Sequence, residues 1–236
     1  MDVSQAVFTS LRNNVRTIGV VLMLLIQIVQ IMDAQEIKLP AVDIAAGKGF
    51  MATVADRRSV REFDAGRLLT NEVVGQLLWA SVGVNRKDAP AAAPGKAPTD
   101  RCNPTALNCQ EIDAYMFGSD GVWKYVPATH SLQRVAVGDH RALVAGNAAF
   151  SQEFVLDAPM SVVFVANTEK LPEGDRRLVL AAFDAGIACE NLSLACAALG
   201  LATVPRATMD AEGIQALLGL KKTQMPMLNN PVGYAR

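Results

Sequence analysis

Hydrophobic residues recur at helical spacing in two stretches of the N-terminal half. The first predicted helix begins near Phe50 and ends at a run of arginines that starts at Arg57. The second has Thr70 at its start, where a hydroxyl can accept a hydrogen bond from a free N–H group of the first helical turn. Its buried stripe is expected to consist of Val73, Val74, Leu77 and Leu78.

The central part of the chain has the pattern of β-strands. IDAYMFG (residues 112–118) and VWKYV (122–126) predict a hairpin with Asp120-Gly121 at its turn. SLQRVAV (131–137) predicts a third strand. MSVVFVAN (160–167) is apolar almost without interruption, as expected of a central strand that is covered on both faces.

Helical patterns return in the C-terminal part. Residues 176–199 predict a long helix that ends at Gly200, and Asp210 is expected to cap a further helix. Asp139 is expected to cap a short helix between the strands, and residues 225–236 predict a last extended segment. Because strands and helices do not alternate in βαβ fashion, these elements predict an α+β fold with three or four antiparallel strands rather than a Rossmann domain.

The N-terminal segment has the features of an export signal. A basic start precedes an apolar run, Ile18–Met32, and the small residue Ala34 follows closely. This order is typical of a cleaved signal peptide. We therefore expect residues 1–34 to direct export, with the periplasm as the destination, and residues 35–236 to form a single domain. An uncleaved membrane anchor is the alternative.

Composition places any anion-binding site in a local cluster. Of 236 residues, 51% are hydrophobic and 19% are charged, and the formal net charge of −1 argues against nucleic acid as a partner. RRSVREF (57–63) nevertheless concentrates three arginines. Guanidinium groups bind phosphate oxygens bidentately and stay charged at any working pH. The alternative is a solvated helix end whose arginines pair with Asp56, Glu62 or Asp64.

Histidines and cysteines offer little catalytic chemistry. Both histidines of the chain are expected at the surface, and no nucleophile motif accompanies them. Cys189 and Cys196 lie seven positions apart on the predicted long helix, which is about 10.5 Å and too far for a disulfide. Cys102 and Cys109 lie in a predicted loop, where spacing alone does not exclude a disulfide. The pattern indicates no metal site.

Four segments in register resemble one known family. They are RRSVREF (57–63), LLWASVGVNR (77–86), RCNPTALNCQEIDAYM (101–116) and FDAGIACENLSLACAALGLATVPR (183–206). Together they resemble the nitroreductase family of FMN-dependent oxidoreductases, and within it an exported branch with a similar LLWA…NR helix end. The resemblance extends from about Phe50 to the C-terminus, with the Ala- and Pro-rich segment 87–100 as an insertion. It implies a mixed, mainly antiparallel central sheet flanked by helices, and an intertwined homodimer with two flavins at its interface.

The resemblance also implies a set of FMN-binding residues. Those that would contact the FMN of their own subunit are Arg57, Arg58, Ser59 and Arg61. Those that would reach the FMN of the partner subunit are Pro104, Thr105, Ala106 and Asn108. Gln152 would contact the isoalloxazine ring, and Arg236 would add a phosphate contact. The turn expected to offer backbone N–H groups near the flavin N5 consists of Pro205, Arg206, Ala207 and Thr208. The small residues through which the long helix would approach its partner are Gly186, Ala188, Ala195 and Ala198.

The implied activity is transfer of hydride or electrons through flavin N5 to a flat acceptor such as a nitroaromatic or a quinone. No catalytic side chain is required, because the flavin carries the chemistry. Ala207 and Thr208 depart from the family pattern, and the chain ends at Arg236 without the C-terminal arm of many members. Two alternatives stay open: a non-catalytic flavin-binding or structural dimer, and a membrane-anchored partner-binding domain without flavin.

Overall fold

The computed structural model describes residues 35–87 and 100–236. The predicted signal segment and nearly all of the predicted insertion lie outside these ranges. Glu36–Arg236 form one compact unit. The strands in the described ranges are β1 (Glu36–Lys38), β2 (Val84–Arg86), β3 (Asp100–Arg101), β4 (Ile112–Gly118), β5 (Gly121–Val126), β6 (Ser131–Val137), β7 (Met160–Asn167), β8 (Ala202–Thr203) and β9 (Gln224–Gly233).

The main sheet has seven described strands in the order β1-β6-β5-β4-β7-β9-β8, and every pairing among them is antiparallel. β2 and β3 form a separate antiparallel pair. The α+β fold with a mainly antiparallel sheet flanked by helices is therefore confirmed, and the sheet has more strands than the three or four expected. The edge strands β1 and β8 are three and two residues long. Segments this short carry too little periodicity to be predicted.

The predicted hairpin is present, but its turn is shifted by one residue. Gly121 already pairs with Val137 as the first residue of β5, so Ser119 and Asp120 form the turn. A Cβ atom on Gly121 would lie 2.5 Å from the carbonyl oxygen of Ala136. The glycine is thus needed for close strand pairing and not for the turn itself.

The α-helices in the described ranges are α1 (Phe50–Asp56), α2 (Asn71–Val82), α3 (Arg141–Ala145), α4 (Arg177–Ala198) and α5 (Ala211–Leu218). Thr70 caps α2 as predicted, its hydroxyl accepting the N–H of Val73 at 3.5 Å. Asp210 caps α5 by accepting the N–H of Gly213 at 2.9 Å. Gly200 follows the end of α4 with a left-handed φ of 72°, a conformation that glycine adopts without strain.

Helices cover both faces of the sheet. α2 and α4 pack on one face, against Val162 and Phe164 of β7. α3 and α5 pack on the other face, against Val163 and Val165. Successive residues of a strand point to opposite faces. Both faces of β7 are therefore buried, which accounts for its uninterrupted apolar sequence.

One side of α4 is apolar and yet exposed. Val179, Phe183 and Ile187, each four residues from the next, are 44%, 58% and 36% exposed. Phe50 and Met51 of the neighbouring α1 are 69% and 76% exposed. By length and composition alone α4 could cross a membrane, but its opposite side packs on the sheet as a core helix. A cluster of exposed large apolar side chains marks an interaction surface.

Candidate functional site

The arginine run leaves α1 as an extended segment beside the sheet. Arg57 ends α1. The N–H of Val60 donates to the carbonyl oxygen of Thr203 in β8 at 2.9 Å, and Phe63 forms a bridge with Ala235. The run therefore lies where α1, β8 and the last residues of the chain meet. Its exposed polar members are Arg58, Ser59, Arg61 and Glu62.

A cavity of about 390 Å³ opens beside this segment. Its positively charged lining residues are Lys48, Arg57 and Arg58, and Asp56 also lines it. Ser193 and Thr203 belong to its wall, but both are buried and their hydroxyl groups donate to the carbonyl oxygens of Cys189 and Pro231. We call this space the cationic cavity. The serine and the third arginine of the run do not line it. Lys48 was not predicted as a site residue.

Ion pairing around the cationic cavity leaves one arginine available. Lys48 is paired with the carboxylate of Asp56, and this contact lowers the pKa of Asp56. The Nε of Arg57 lies 3.8 Å from a carboxylate oxygen of Glu190 on α4. Arg58 forms no ion pair with any residue in the ranges 35–87 and 100–236. Arg58 is exposed, and its charge contributes to lowering the pKa of Asp56 without forming an ion pair with it.

The chain terminus lies against the arginine run. The N–H of Arg236 donates to the carbonyl oxygen of Glu62 at 3.3 Å. The guanidinium of Arg67 stacks 3.3 Å from the ring centre of Tyr234. Ala235 lines the cationic cavity, whereas Arg236 does not. A phosphate contact from Arg236 thus stays a prediction.

A buried arginine joins two of the predicted site segments. Arg206 is 7% exposed. Its guanidinium donates to the side-chain oxygens of Gln152 (2.8 Å) and Asn229 (2.7 Å) and to the carbonyl oxygens of Val144 (3.0 Å) and Ala145 (3.0 Å). None of these acceptors is charged. Burial and, after it, repulsion from Arg61 lower the pKa of Arg206 to about 10. The fold thus brings Arg61, Gln152 and Arg206 into one electropositive region.

The turn after β8 contains two free backbone donors. The N–H of Arg206 is taken, because it donates to the carbonyl oxygen of Asn229 at 2.8 Å. Pro205 has no N–H at all. The N–H groups of Ala207 and Thr208 have no partner among the residues that the structure describes. Only these two can be the donors that the family resemblance places near a flavin N5.

The segment predicted to face a partner subunit is held to α4. Ala106–Asn108 form a single 3₁₀ turn in which Leu107 and Asn108 have φ of 51°. Such values are uncommon for residues other than glycine. The N–H of Ala106 donates to a carboxylate oxygen of Asp184 on α4 at 2.7 Å. This bond fixes the start of the turn against the long helix.

Other residues of the same segment line a second, separate cavity of about 280 Å³. Pro104, Thr105 and Asn108 line it together with Arg86 and Arg101. The second cavity shares no lining residue with the cationic cavity. Within one chain, therefore, the structure does not bring this segment to the arginine run.

Two buried carboxyl groups form a pair that the sequence did not reveal. Glu111 and Asp184 are 0% and 5% exposed. The side-chain oxygens of Glu111 accept no hydrogen bond from any donor in the described residues. Burial, followed by the influence of the neighbouring Asp184 carboxyl group, raises the pKa of Glu111 to about 8. Glu111 is therefore expected to keep its proton at neutral pH.

The structure shows the bonding of two cysteines and the burial of one histidine, which the sequence left open or predicted differently. Cys102 and Cys109 are not joined by a disulfide in the structure. No group of metal-ligating side chains occurs in the described part of the chain. The expectation of a surface histidine was wrong for His130, which is half-buried and lies 2.7 Å from the hydroxyl of Tyr125 and 2.9 Å from the carbonyl oxygen of Pro40. It ties the start of the domain to β5.

Comparison with known proteins decides the family. The model of the nitroreductase family matches residues 54–234. The chain belongs to the nitroreductase family. It is 30% identical to a protein of Methanocaldococcus jannaschii, provisionally named a nitroreductase, over 210 residues that cover 87% of this chain and 95% of that protein.

Two solved structures illustrate the family's fold. A provisionally named nitroreductase of Ralstonia eutropha JMP134 has a TM-score of 0.74 and 30% identity, covering 86% of this chain and 91% of that chain. A Parabacteroides distasonis protein, provisionally named an NADH dehydrogenase/NAD(P)H nitroreductase, has a TM-score of 0.52 and 19% identity, with 79% and 86% coverage. The second likeness shows the fold alone.

As a member of the nitroreductase family, this chain is a flavin-type oxidoreductase.

Proposed function

We propose that this nitroreductase-family chain binds FMN and passes hydride or electrons to a flat acceptor such as a nitroaromatic or a quinone. The observation that carries the proposal is the cationic cavity, with Lys48, Arg57 and Arg58 gathered in a chain whose net charge is −1. Arg58 is free of ion pairs among the described residues. A guanidinium group without an ion-pair partner can donate two parallel hydrogen bonds to the oxygens of a phosphate ester. We assign the phosphate of FMN to this cavity.

The flavin ring is assigned to the electropositive region of Arg61, Gln152 and Arg206. The four acceptors of Arg206 are neutral, so its charge is not cancelled. Positive charge and the free N–H groups of Ala207 and Thr208 would stabilise negative charge on a reduced ring. FMN, when bound, supplies the hydride and electron transfer. The protein's own residues would bind it, orient it and set its charge environment.

We further propose a homodimer as the active form. The exposed apolar side of α4 adjoins a groove of about 380 Å³ whose lining includes Ala195 and Ala198, two of the predicted contact residues. Lys48 lines both this groove and the cationic cavity. A second copy seated in the groove would therefore reach the cofactor site. Ala188 is not part of this surface, because it is fully buried in the core; its prediction as a contact residue was wrong.

Dimerisation also gives a role to the segment 104–108, which within one chain lies away from the cationic cavity. Pro104, Thr105 and Asn108 line the second cavity and not the cationic one. A partner copy would present these residues to the FMN of the first, as the family resemblance implies. Ala106, whose N–H is bound to Asp184, would hold the segment in place.

Export to the periplasm is part of the proposal and is supported by the pattern of residues 1–34. An exported enzyme does not meet the NAD(P)H pool of the cytoplasm. We therefore propose that the electron donor is a compound other than NAD(P)H, or that a reduced substrate donates hydride directly to the flavin.

Rapid mixing tests the activity. The flavin bound to the purified full chain is photoreduced without oxygen and mixed with a nitroaromatic or a quinone. The proposal predicts reoxidation much faster than that of free reduced FMN at the same concentration. A bound flavin that is reoxidised no faster than free flavin would favour the non-catalytic dimer. Absence of bound flavin would favour the partner-binding domain.

A further inference from the structure

Two consecutive asparagines in β9, Asn229 and Asn230, are both 0% exposed. Consecutive residues of a strand point to opposite faces of the sheet. The two amide side chains therefore enter different layers of the molecule. Neither position stood out in the sequence, because the segment reads simply as a terminal strand.

The side chain of Asn230 holds the wall of the cationic cavity. Its Nδ2 donates to the hydroxyl oxygens of Ser193 (3.3 Å) and Thr203 (3.2 Å). Its Oδ1 accepts a hydrogen bond from the thiol of Cys189 at 2.9 Å. Ser193 and Thr203 line the cationic cavity. One amide thus fixes the positions of two hydroxyl groups, one from α4 and one from β8.

The side chain of Asn229 holds the turn after β8. Its Oδ1 accepts from the guanidinium of Arg206 at 2.7 Å, and its Nδ2 donates to the carbonyl oxygen of Thr208 at 3.0 Å. The backbone groups of Asn229 and Arg206 also exchange two hydrogen bonds of 2.8 Å. Through Arg206, the same asparagine is connected to Gln152. The turn that offers the N–H groups of Ala207 and Thr208 is thus held from both ends.

Buried amides at these positions are costly to the fold unless every polar atom finds a partner. A β-branched apolar residue would suit a central strand better on packing grounds alone. Here both amides are satisfied, and the partners of each belong to one part of the proposed cofactor site. The arrangement therefore connects two parts of the site through adjacent positions of one rigid strand.

We infer that Asn229 and Asn230 are positioning residues that set the two parts of the flavin site from opposite faces of β9. Asn230 positions the phosphate part, and Asn229 positions the ring part. The inference rests on the proposed function, since it presumes that the cationic cavity and the turn after β8 hold the same cofactor.

The two asparagines serve as matched controls for each other, being adjacent, identical and equally buried. Asn230→Ala is expected to weaken FMN binding by about tenfold, because the cavity wall where α4 meets β8 would lose the hydrogen bonds that hold Ser193 and Thr203 together. It should leave riboflavin binding unchanged, because riboflavin lacks the phosphate. Asn229→Ala is expected to shift the midpoint potential of the bound flavin to a more negative value, because the N–H donors would be less well placed. It should leave the ratio of FMN to riboflavin affinity unchanged.

Milder variants keep the test decisive if an alanine variant does not fold. Asn230→Ser and Thr203→Val should reproduce the selective loss of FMN affinity, and Asn229→Ser should reproduce the shift in potential. Parallel changes in both quantities for both asparagines, or no change in either, would overturn the inference while leaving the proposed function intact. Failure of the unsubstituted chain to bind either flavin would overturn the proposed function and the inference together.

Discussion

The guanidinium of Arg206 donates through Nε to the side-chain oxygen of Gln152 at 2.8 Å. The bond joins the turn after β8 to the 3₁₀ turn Glu153–Asp157 that precedes β7. The family resemblance assigns both segments to the flavin ring but does not connect them. In the fold, one buried side chain sets the distance between them, and its remaining bonds fix it to β9 and to the end of α3.

The buried position of Arg206 makes it a stability determinant. Arg206→Met should lower the free energy of unfolding by about 3 kcal/mol, because the carbonyl oxygen of Val144 and the buried side-chain oxygen of Asn229 would be left without donors. Arg58→Met is the matched control, since Arg58 is exposed, and it should change stability by less than about 0.5 kcal/mol. Urea denaturation of the flavin-free protein measures both. Equal effects of the two substitutions would contradict the structural role of Arg206.

Stability should also fall as pH rises through neutrality, because of Glu111. Its pKa is raised from 4.5 to about 8 by burial and the contact with Asp184. Between these values the folded chain keeps a proton that the unfolded chain has released. The stabilisation is therefore complete below pH 4.5 and is lost as pH rises toward 8, with a limiting slope of about 1.4 kcal/mol per pH unit.

Glu111→Gln isolates this effect. The amide keeps a hydrogen-bond donor for Asp184 but does not titrate, so the fall in stability between about pH 5 and pH 8 should flatten. Glu212→Gln, at an exposed position of α5, should leave the slope as it is. Chemical denaturation across this pH range provides the measurement. A slope that persists in Glu111→Gln would show that other groups cause it.

Arg58 should control the affinity for the cofactor phosphate. Arg58→Ala should weaken FMN binding by about 1.5–3 kcal/mol, the value of a hydrogen bond to a charged group, and should not affect riboflavin binding. Arg67→Ala removes an arginine that stacks on Tyr234 and does not line the cationic cavity, so FMN affinity should be kept. Fluorescence titration with both flavins distinguishes the outcomes. Equal losses for FMN and riboflavin would place the phosphate elsewhere.

The exposed side of α4 should mediate dimerisation. Phe183→Glu introduces a charge at a position that is 58% exposed in the single chain and central to the apolar side, so the protein should become monomeric and lose flavin. Val135→Glu changes an apolar residue of β6 that is 43% exposed, and it should leave the dimer intact. Sedimentation velocity gives the mass of each variant. A monomeric unsubstituted protein would contradict the dimer proposal.

Elements with long regular patterns could be predicted from the sequence. α2 has a hydroxyl cap and a complete apolar stripe, and β7 has eight residues of nearly continuous apolar character. Both were placed to within a residue or two, because their signal is local. The predicted turn at Asp120-Gly121 lies one residue beyond the observed turn. Glycine suits a turn and a close strand pairing equally well, so the sequence did not distinguish the two positions.

The candidate site could be predicted only where its signal lies in one segment. The arginine run at Arg57 stands out in a chain with few charges. The roles of Asn229 and Glu111 do not stand out in the sequence, because each role depends on which strand or helix packs against that residue. Lys48 joins the cationic cavity only through the packing of its turn against the end of α4, where the N–H of Lys48 donates to the carbonyl oxygen of Ala198 at 3.2 Å. Such contacts follow from the topology, which no local pattern contains.

The most direct test of the FMN assignment is an absorption spectrum of the full chain, purified without added cofactor. We expect the two visible bands of an oxidised flavin, and the mass of FMN in the supernatant after heat release. A colourless protein that also fails to take up added FMN would contradict the assignment. The cationic cavity would then be a solvated helix end, and the proposed oxidoreductase activity would be withdrawn with it.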